Sequence, residues 1–205
     1  MKSEGVGAGR IKRAGGVASA LRFVGAFLEE PLTVGAFWPS SEELSRAVVD
    51  SCAFPPWGTV VELGPGTGSF TSLLLERLED RGRLLALEIN PTNLAVLRLR
   101  LPRCAAIHDS AENLDRYVGR GRADCVVSGL AWGNMLPATQ DRIMNAIVRA
   151  LSPGGQFVAF AYAHARYYPT TLRFRKLMFR EFARVETSPI IWRNLPPAYV
   201  YRCWR

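Results

Sequence analysis

The sequence has few cysteines and no paired cysteine motif, which restricts the sites it can form. Cys52, Cys104, Cys125 and Cys203 are scattered through 205 residues without a CxxC pair. Three of them lie in apolar runs, where a free cysteine behaves as a small hydrophobic residue. This pattern predicts reduced thiols in a cytoplasmic protein, and it argues against both a disulfide framework and a metal site.

Long apolar runs are also missing. No stretch approaches the roughly 18 apolar residues that cross a bilayer, so no transmembrane segment is predicted. Residues 1–16 contain basic side chains but no apolar region followed by a cleavage site, so no signal peptide is predicted either. What the chain does have is 48% hydrophobic and 21% charged residues, a composition typical of one globular domain.

Basic residues outnumber acidic ones and give a formal net charge of +8. A basic surface attracts polyanions, which include nucleic acids and anionic membrane leaflets. The charge alone does not choose between these two classes of partner.

From Thr59 onward, apolar runs rich in β-forming residues alternate with helical patterns. This alternation predicts a doubly wound α/β sheet with right-handed crossovers. The inner runs are almost continuously apolar, as expected for strands that are covered on both faces. The predicted strands are Thr59–Leu63, Arg83–Glu88, Cys104–His108, Ala123–Ser128, Gln156–Tyr162, Phe182–Thr187 and Tyr199–Trp204.

Two of the intervening helices have recognisable ends. Asn90 followed by Pro91 is typical of an N-cap and a first helical residue. Pro137 begins another predicted helix, and the pair Gly154-Gly155 is predicted to end it.

The segment before the first strand has a different pattern. A basic leader precedes Val17, Leu21, Val24 and Leu28, which recur at helical spacing until Pro31. This spacing predicts an amphipathic helix. The helix either packs its apolar face on the domain or lies in a membrane interface, and the sequence leaves both alternatives open.

A glycine-rich turn follows the first predicted strand. Gly64, Gly66 and Gly68 permit close approach of a ligand to the backbone, and Glu62 precedes them. A carboxylate at this position repels a pyrophosphate but attracts a cation, which favours S-adenosylmethionine over a dinucleotide.

Acidic residues mark the ends of the next two strands. Glu88 is positioned to accept hydrogen bonds from both hydroxyls of a ribose. Asp109 is positioned to accept a hydrogen bond from the amino group of an adenine. Because strand ends of a parallel sheet meet at one edge, these residues and the glycine turn are predicted to form one site.

Together these motifs resemble those of class I S-adenosylmethionine-dependent methyltransferases. The resemblance covers Thr59 to the C-terminus and implies a Rossmann-like seven-stranded sheet whose last strand is antiparallel. It also implies S-adenosyl-L-methionine as the cofactor, S-adenosyl-L-homocysteine as the product and no metal. The implied cofactor-binding residues are Glu62, Gly64, Gly66, Gly68, Glu88, Ile89, Asp109, Ser110, Ala111, Ser128 and Gly129.

The segment Ser128-Gly129-Leu130-Ala131-Trp132 resembles the Ser-Gly-Leu-Pro-Trp pattern of bacterial phospholipid N-methyltransferases, although Ala131 departs from it. The related rRNA adenine dimethyltransferases have Asn-Leu-Pro-Tyr there. The resemblance implies Trp132 and Tyr162 as catalytic residues that hold an alkylammonium. Implied substrate-binding residues are Phe37, Trp38, Leu130, Arg166, Arg193 and Asn194.

The implied activity is stepwise N-methylation of phosphatidylethanolamine toward phosphatidylcholine. Residues 1–38 are then a membrane-binding segment and residues 39–205 the methyltransferase domain. The expected partner is an anionic membrane surface, contacted from the cytoplasm, rather than a nucleic acid. The alternatives are methylation of RNA adenine, methylation of a soluble amine, and a non-catalytic role as a sensor of the cofactor or as a membrane-binding module. The sequence does not predict an oligomeric state.

Overall fold

The computed structural model describes residues 40–78 and 80–205. The predicted amphipathic helix, the candidate residues Phe37 and Trp38 and the whole of the proposed segment 1–38 lie outside the described residues.

Strands and helices alternate along the described chain. The strands are β1 (Thr59–Leu63), β2 (Arg83–Glu88), β3 (Ala105–His108), β4 (Ala123–Ser128), β5 (Leu151–Tyr162), β6 (Arg184–Thr187) and β7 (Ala198–Trp204). The α-helices are α1 (Glu42–Asp50), α2 (Ser69–Leu78), α3 (Pro91–Arg100), α4 (Leu114–Val118), α5 (Pro137–Ala150) and α6 (Pro169–Glu181). Short 3-10 helices cover Ala111–Asn113, Trp132–Asn134 and Ala163–Ala165.

The strands form one sheet in the order β3-β2-β1-β4-β5-β7-β6. Pairing is parallel from β3 to β5, and β7 runs antiparallel to both β5 and β6. The predicted seven-stranded methyltransferase fold with an antiparallel last strand is therefore confirmed.

Two apolar clusters lie on opposite faces of the sheet. One contains Val61 and Leu63 of β1 with α5 and α6, and the other contains Val60 with α1 and α2. Strand side chains alternate between faces, so helices on both sides explain why β1, β2 and β4 are apolar almost throughout. All four cysteines are buried in this core.

The structure confirms one predicted helix boundary and corrects another. Asn90 caps α3, with Oδ1 accepting from the backbone N–H of Thr92 and Asn93. By contrast, the prediction that Gly154-Gly155 ends a helix is wrong, because α5 ends at Ala150 and Leu151 already pairs with Ala123 of β4. The glycines instead lie where β5 bulges away from β4 before pairing resumes at Gln156.

The sequence reasoning also missed α1. Ser41 begins this helix, with Oγ accepting from the backbone N–H of Leu44 at 3.1 Å, and Glu42 and Glu43 follow in the first turn. Both features stabilise a helix N-terminus. Within residues 40–78 and 80–205, every helix is too short or too polar to span a bilayer.

Candidate active site

The ends of five parallel strands and the start of β7 meet at one edge of the sheet, which we call the carboxyl edge. Ligands bind at this edge in doubly wound folds. Two regions share it. The glycine side consists of residues 64–68, 88–90 and 109–111, which follow β1, β2 and β3, and the aromatic side consists of residues 128–136, 160–168 and 191–197.

The turn after β1 presents bare backbone. Gly66 has a positive φ of 56°, and a Cβ at this position would meet no atom within 4 Å. The peptide is therefore open to a ligand, and the absent side chain is what leaves it open.

The two sides touch at Gly64 and Gly129. The backbone N–H of Gly129 donates to the Leu63 carbonyl at 2.8 Å, and a Cβ on Gly129 would lie 2.5 Å from the Gly64 carbonyl oxygen. Because that neighbour is backbone, no rotamer change relieves the clash. The backbone of this structure has no room for a side chain at position 129.

Glu62 lies beneath the glycine turn and is fully buried. The Thr71 hydroxyl donates to Oε2 at 2.6 Å, whereas Oε1 has no hydrogen-bond partner in the described structure. Burial, reinforced by nearby Glu88, raises the pKa of Glu62 to about 7 against the opposing Thr71 hydrogen bond. A cation held above the turn would favour the ionised carboxylate.

Glu88 ends β2 and connects the first two loops. Its Oε2 accepts from the Gly66 N–H at 3.0 Å and its Oε1 from the Asn90 N–H at 2.8 Å. Each carboxylate oxygen retains a lone pair for a ligand hydroxyl. The next residue, Ile89, exposes an apolar side chain at the same edge, and His108 Nε2 lies 3.0 Å from its carbonyl oxygen.

Asp109 is held by three donors at the end of β3. The Ser110 N–H and the Asn113 amide donate to Oδ1, and the Tyr117 hydroxyl donates to Oδ2 at 2.6 Å. These hydrogen bonds lower the pKa of Asp109, with the Tyr117 bond contributing most. Ser110 caps the short helix that begins at Ala111. The carboxylate is thus ionised and fixed, as an acceptor for an amino group requires.

The glycine side fits S-adenosylmethionine. The open peptide at Gly66 admits a ligand, the orphaned Glu62 oxygen provides negative charge below it, and Glu88 has free lone pairs at hydroxyl positions. The fit is electrostatic at Glu62, since that side chain has no exposed surface with which to touch a ligand.

On the aromatic side, Ser128 shapes the turn after β4. Its Oγ accepts from Trp132 Nε1 at 2.9 Å and from the Leu130 N–H at 3.3 Å. Trp132 stacks on Phe174 with ring centroids 4.3 Å apart and is only 2% exposed. One ring face is therefore occupied, and its assignment as a catalytic residue stays a prediction.

A pocket lies between the turn after β4 and the end of β5. Tyr162 is half-buried in its wall, packs edge-on against Phe160 and stacks on His164 at 5.7 Å. Among the lining residues that the structure describes, none is a carboxylate, lysine or arginine. Those lining residues are Leu130, Ala131, Trp132, Gly133, Asn134, Phe160, Ala161, Tyr162, His164, Ala165, Tyr168, Thr171 and Phe174.

The predicted substrate-binding residues separate into different environments. Leu130 lines the pocket, whereas Arg166 and Arg193 are exposed outside it. Asn194 is buried, with Oδ1 accepting from the Ser41 N–H and Nδ2 donating to the Pro196 carbonyl. Its described contacts are with the chain itself, and substrate binding by these residues stays a prediction.

Sequence reasoning missed His164 of the aromatic side and also Gln140, which contacts that side from α5. Gln140 is fully buried on α5 and donates to the carbonyls of Trp132 and Thr170, which joins the Trp132 turn to α6. His164 lines the pocket, and desolvation lowers its pKa. His164 has a sequence signal, because it follows predicted Tyr162 by two residues, whereas Gln140 looks like any polar residue of a helix.

Comparison with known families matches residues 60–155 to the family described as a methyltransferase domain. The chain is 29% identical to an ornithine lipid N-methyltransferase of Singulisphaera acidiphila, over 88% of this chain and 93% of that protein. It is 27% identical to an uncharacterized methyltransferase of Synechocystis sp., over 57% of this chain and 52% of that one.

Solved structures repeat the fold at lower identity. A TehB-like S-adenosylmethionine-dependent methyltransferase from Corynebacterium glutamicum superimposes with a TM-score of 0.62 at 15% identity, covering 92% of this chain and all (100%) of that one. A precorrin-6y C5,15-methyltransferase from Geobacter metallireducens gives 0.63 at 20% identity, covering 80% and 87%. These likenesses concern the fold.

Proposed function

We propose that this chain, which carries a class I methyltransferase domain using S-adenosylmethionine as methyl donor, N-methylates the amine of a membrane aminolipid, with phosphatidylethanolamine as substrate. The supporting observation is the pocket of the aromatic side. It begins at the turn that touches the glycine side, its walls are aromatic, and its described lining holds no carboxylate to bind a cation tightly.

Bound S-adenosylmethionine supplies an electrophilic methyl group on a sulfonium. The chain's own work is then to hold the amine in line with that methyl group and to exclude water, which alone contributes much of the rate. Aromatic faces attract an alkylammonium through the ring quadrupole and tolerate added methyl groups. A pocket of this kind therefore suits successive methylation of one nitrogen.

The amine must lose a proton before it can attack. An alkylammonium has a pKa of about 10.4 by analogy with lysine, so little is neutral at pH 7. Desolvation by the apolar walls lowers that pKa, and we propose that it outweighs the opposing cation–π attraction. Desolvation likewise lowers the pKa of His164, which keeps its imidazole neutral near pH 7. We assign His164 the role of accepting the proton and passing it to water at the pocket mouth.

A lipid substrate is supported by the relative that is named for methylating a lipid amine, and by the surface of α6. Arg175 lies over the ring of Phe179 at 5.5 Å, and both side chains are exposed. Basic and aromatic residues together suit a lipid headgroup region. The same relative makes ornithine lipid the second candidate substrate.

Two further proposals concern the membrane. The chain is expected to bind anionic bilayers peripherally, and residues 1–38 are expected to act as a basic amphipathic anchor. Deleting residues 1–32 tests the anchor by co-sedimentation with liposomes, since undiminished binding would remove this role from the segment.

RNA adenine methylation has less support. Its target motif carries an asparagine where this chain has Gly129, and the clash with the Gly64 carbonyl leaves no space for that side chain.

A competition assay tests the substrate assignment. Limiting methyl-labelled S-adenosylmethionine is offered to the enzyme together with phosphatidylethanolamine vesicles, ornithine lipid vesicles, RNA and small amines. We expect label in the aminolipids, first of all in phosphatidylethanolamine. Label in ornithine lipid alone would refute phosphatidylethanolamine as the substrate and support ornithine lipid instead. Label in RNA or soluble amines without label in lipid would refute the proposal.

A further inference from the structure

Large apolar side chains remain exposed at the edge of the sheet that carries the pocket. At the carboxyl edge these are Ile89, Leu136, Tyr167, Tyr168, Trp192 and Leu195, with exposed fractions from 51% to 77%. An exposed apolar surface around a pocket commonly marks an interaction site. Trp57 is exposed to a similar extent, 68%, but precedes β1 and so lies at the opposite edge of the sheet.

Two loops carry most of this surface. The first, residues 163–168, follows β5, and the second, residues 191–197, precedes β7. The Ala163 N–H donates to the Pro197 carbonyl at 2.8 Å and joins the two loops. They therefore lie side by side at the mouth, and Tyr168 of the first loop also lines the pocket.

Internal hydrogen bonds hold the second loop in place. Ile191 pairs with Ala198, and buried Asn194 binds the Pro196 carbonyl and the Ser41 N–H. Trp192 and Leu195 nevertheless point outward, at 71% and 53% exposure. The buried asparagine therefore fixes the loop in a conformation in which its largest apolar side chains face solvent.

Each loop pairs an aromatic residue with an arginine. Arg166 lies 6.0 Å from the ring centre of Tyr167. Arg193, next to Trp192 in sequence, forms an ion pair with Glu43 at 3.7 Å and keeps 83% of its side chain exposed. Amphipathic aromatic rings occupy the membrane–water interface, and arginine there pairs with lipid phosphate. The net charge of +8 complements an anionic leaflet.

We infer that these two loops, which we call the rim loops, dock the carboxyl edge onto the interface of an anionic bilayer, with Trp192 and Tyr167 inserted. The inference rests on the proposed lipid substrate and adds the path by which that lipid reaches the pocket. With the rim in the headgroup layer, the pocket mouth opens at the depth of the lipid amine. The substrate then enters sideways from the bilayer without crossing water.

The first experiment measures binding of the full chain to vesicles of equal parts phosphatidylcholine and phosphatidylglycerol. The double variant Trp192→Ser/Tyr167→Ser is expected to bind about tenfold more weakly or worse, because both inserted rings are lost. Trp57→Ser is the matched control and should bind like the original chain. Equal binding by the double variant and the control would overturn the inference.

The second experiment measures contact of Trp192 with the bilayer directly. Brominated lipids quench tryptophan fluorescence on contact, so the quenching lost in Trp192→Phe and in Trp57→Phe is compared. We expect the Trp192 contribution to be quenched and the Trp57 contribution to stay unquenched. An unquenched Trp192, or variants that change self-association rather than vesicle binding, would refute membrane docking.

The two proposals fail separately. Rim-dependent binding without methylation of any aminolipid would refute the proposed function and leave the docking surface intact. If the chain methylates lipids but binds vesicles equally well without Trp192 and Tyr167, the docking surface is refuted and the proposed function stands.

Discussion

The glycine side and the aromatic side share one edge of the sheet but are built from different materials. The glycine side consists of backbone peptides and fixed carboxylates, with Glu88 accepting a hydrogen bond from the Gly66 N–H and Asp109 held by three donors. On the aromatic side, rings stacked on one another surround a pocket whose described lining lacks carboxylates. Under the proposed function, the difference means that recognition of the methyl donor is polar and prearranged, whereas recognition of the acceptor depends on shape and desolvation.

The largest expected effect is a loss of cofactor affinity that comes from the glycine side alone. Glu88→Ala removes a charged acceptor of two hydrogen bonds that ligand hydroxyls donate, so cofactor affinity should fall about 150-fold, equivalent to about 3 kcal/mol. Calorimetric titration with S-adenosylhomocysteine measures this loss. Glu112→Ala, which removes a carboxylate paired with Arg142 instead, is the control. Unchanged affinity in Glu88→Ala would disprove the ribose assignment.

A second test isolates the open peptide at Gly66. Gly66→Ala should weaken cofactor binding about fiftyfold, because a methyl group occupies ligand space. Gly121→Ala is matched to it, since Gly121 also has a positive φ and a Cβ there would meet no atom within 4 Å, but it lies before β4 at the opposite edge. We expect the two variants to lose similar thermal stability, but only Gly66→Ala to lose affinity for the cofactor. Equal affinities would place the ligand away from this turn.

On the aromatic side, His164→Ala should lower kcat about twentyfold at pH 7. This is less than the roughly hundredfold minimum typical of a general base, because the apolar walls already lower the pKa of the amine. The pKa of His164 is lowered, so the original chain should retain activity until the pH falls through that pKa. At high pH the amine deprotonates without help, and the deficit should shrink. A pH–rate profile of both proteins checks this. A deficit that stays constant up to high pH would indicate a packing role only.

Two substitutions of Tyr162 distinguish the contribution of its ring from that of its hydroxyl. Tyr162→Ala should lower kcat/KM for the lipid about tenfold through loss of a cation–π wall, whereas Tyr162→Phe should lose less. Cofactor affinity should be unchanged in both variants, which titration confirms or contradicts. A shared loss of cofactor affinity would show that the two sides are not independent.

The smallest effect concerns Glu62. Its pKa of about 7 means that the carboxylate is ionised above pH 7 and increasingly protonated below it. Because a bound cation favours the ionised form, cofactor affinity should fall below pH 7, by up to about tenfold per pH unit. Glu62→Gln should flatten this dependence. An unchanged slope in the variant would assign the titration to another group.

The sequence predicted the glycine side far better than the aromatic side. The strands, the glycine turn, Glu88 and Asp109 are visible because periodicity and local motifs specify them within a few residues. The aromatic side depends on contacts between distant segments, such as Gln140 with Thr170 and Ala163 with Pro197, and no local pattern encodes those pairings. For the same reason, the stacking of Trp132 on Phe174 emerged only from the fold.

The most direct measurement of this division is photo-cross-linking. A phosphatidylethanolamine analogue with a photoreactive group at its headgroup is offered in vesicles while S-adenosylhomocysteine saturates the enzyme, and the modified peptides are mapped by mass spectrometry. Adducts on residues 128–136 and 160–168 are the predicted result. Adducts confined to residues 64–68 and 88–90, or to the opposite edge around Trp57, would contradict the assignment of the aromatic side to the lipid amine.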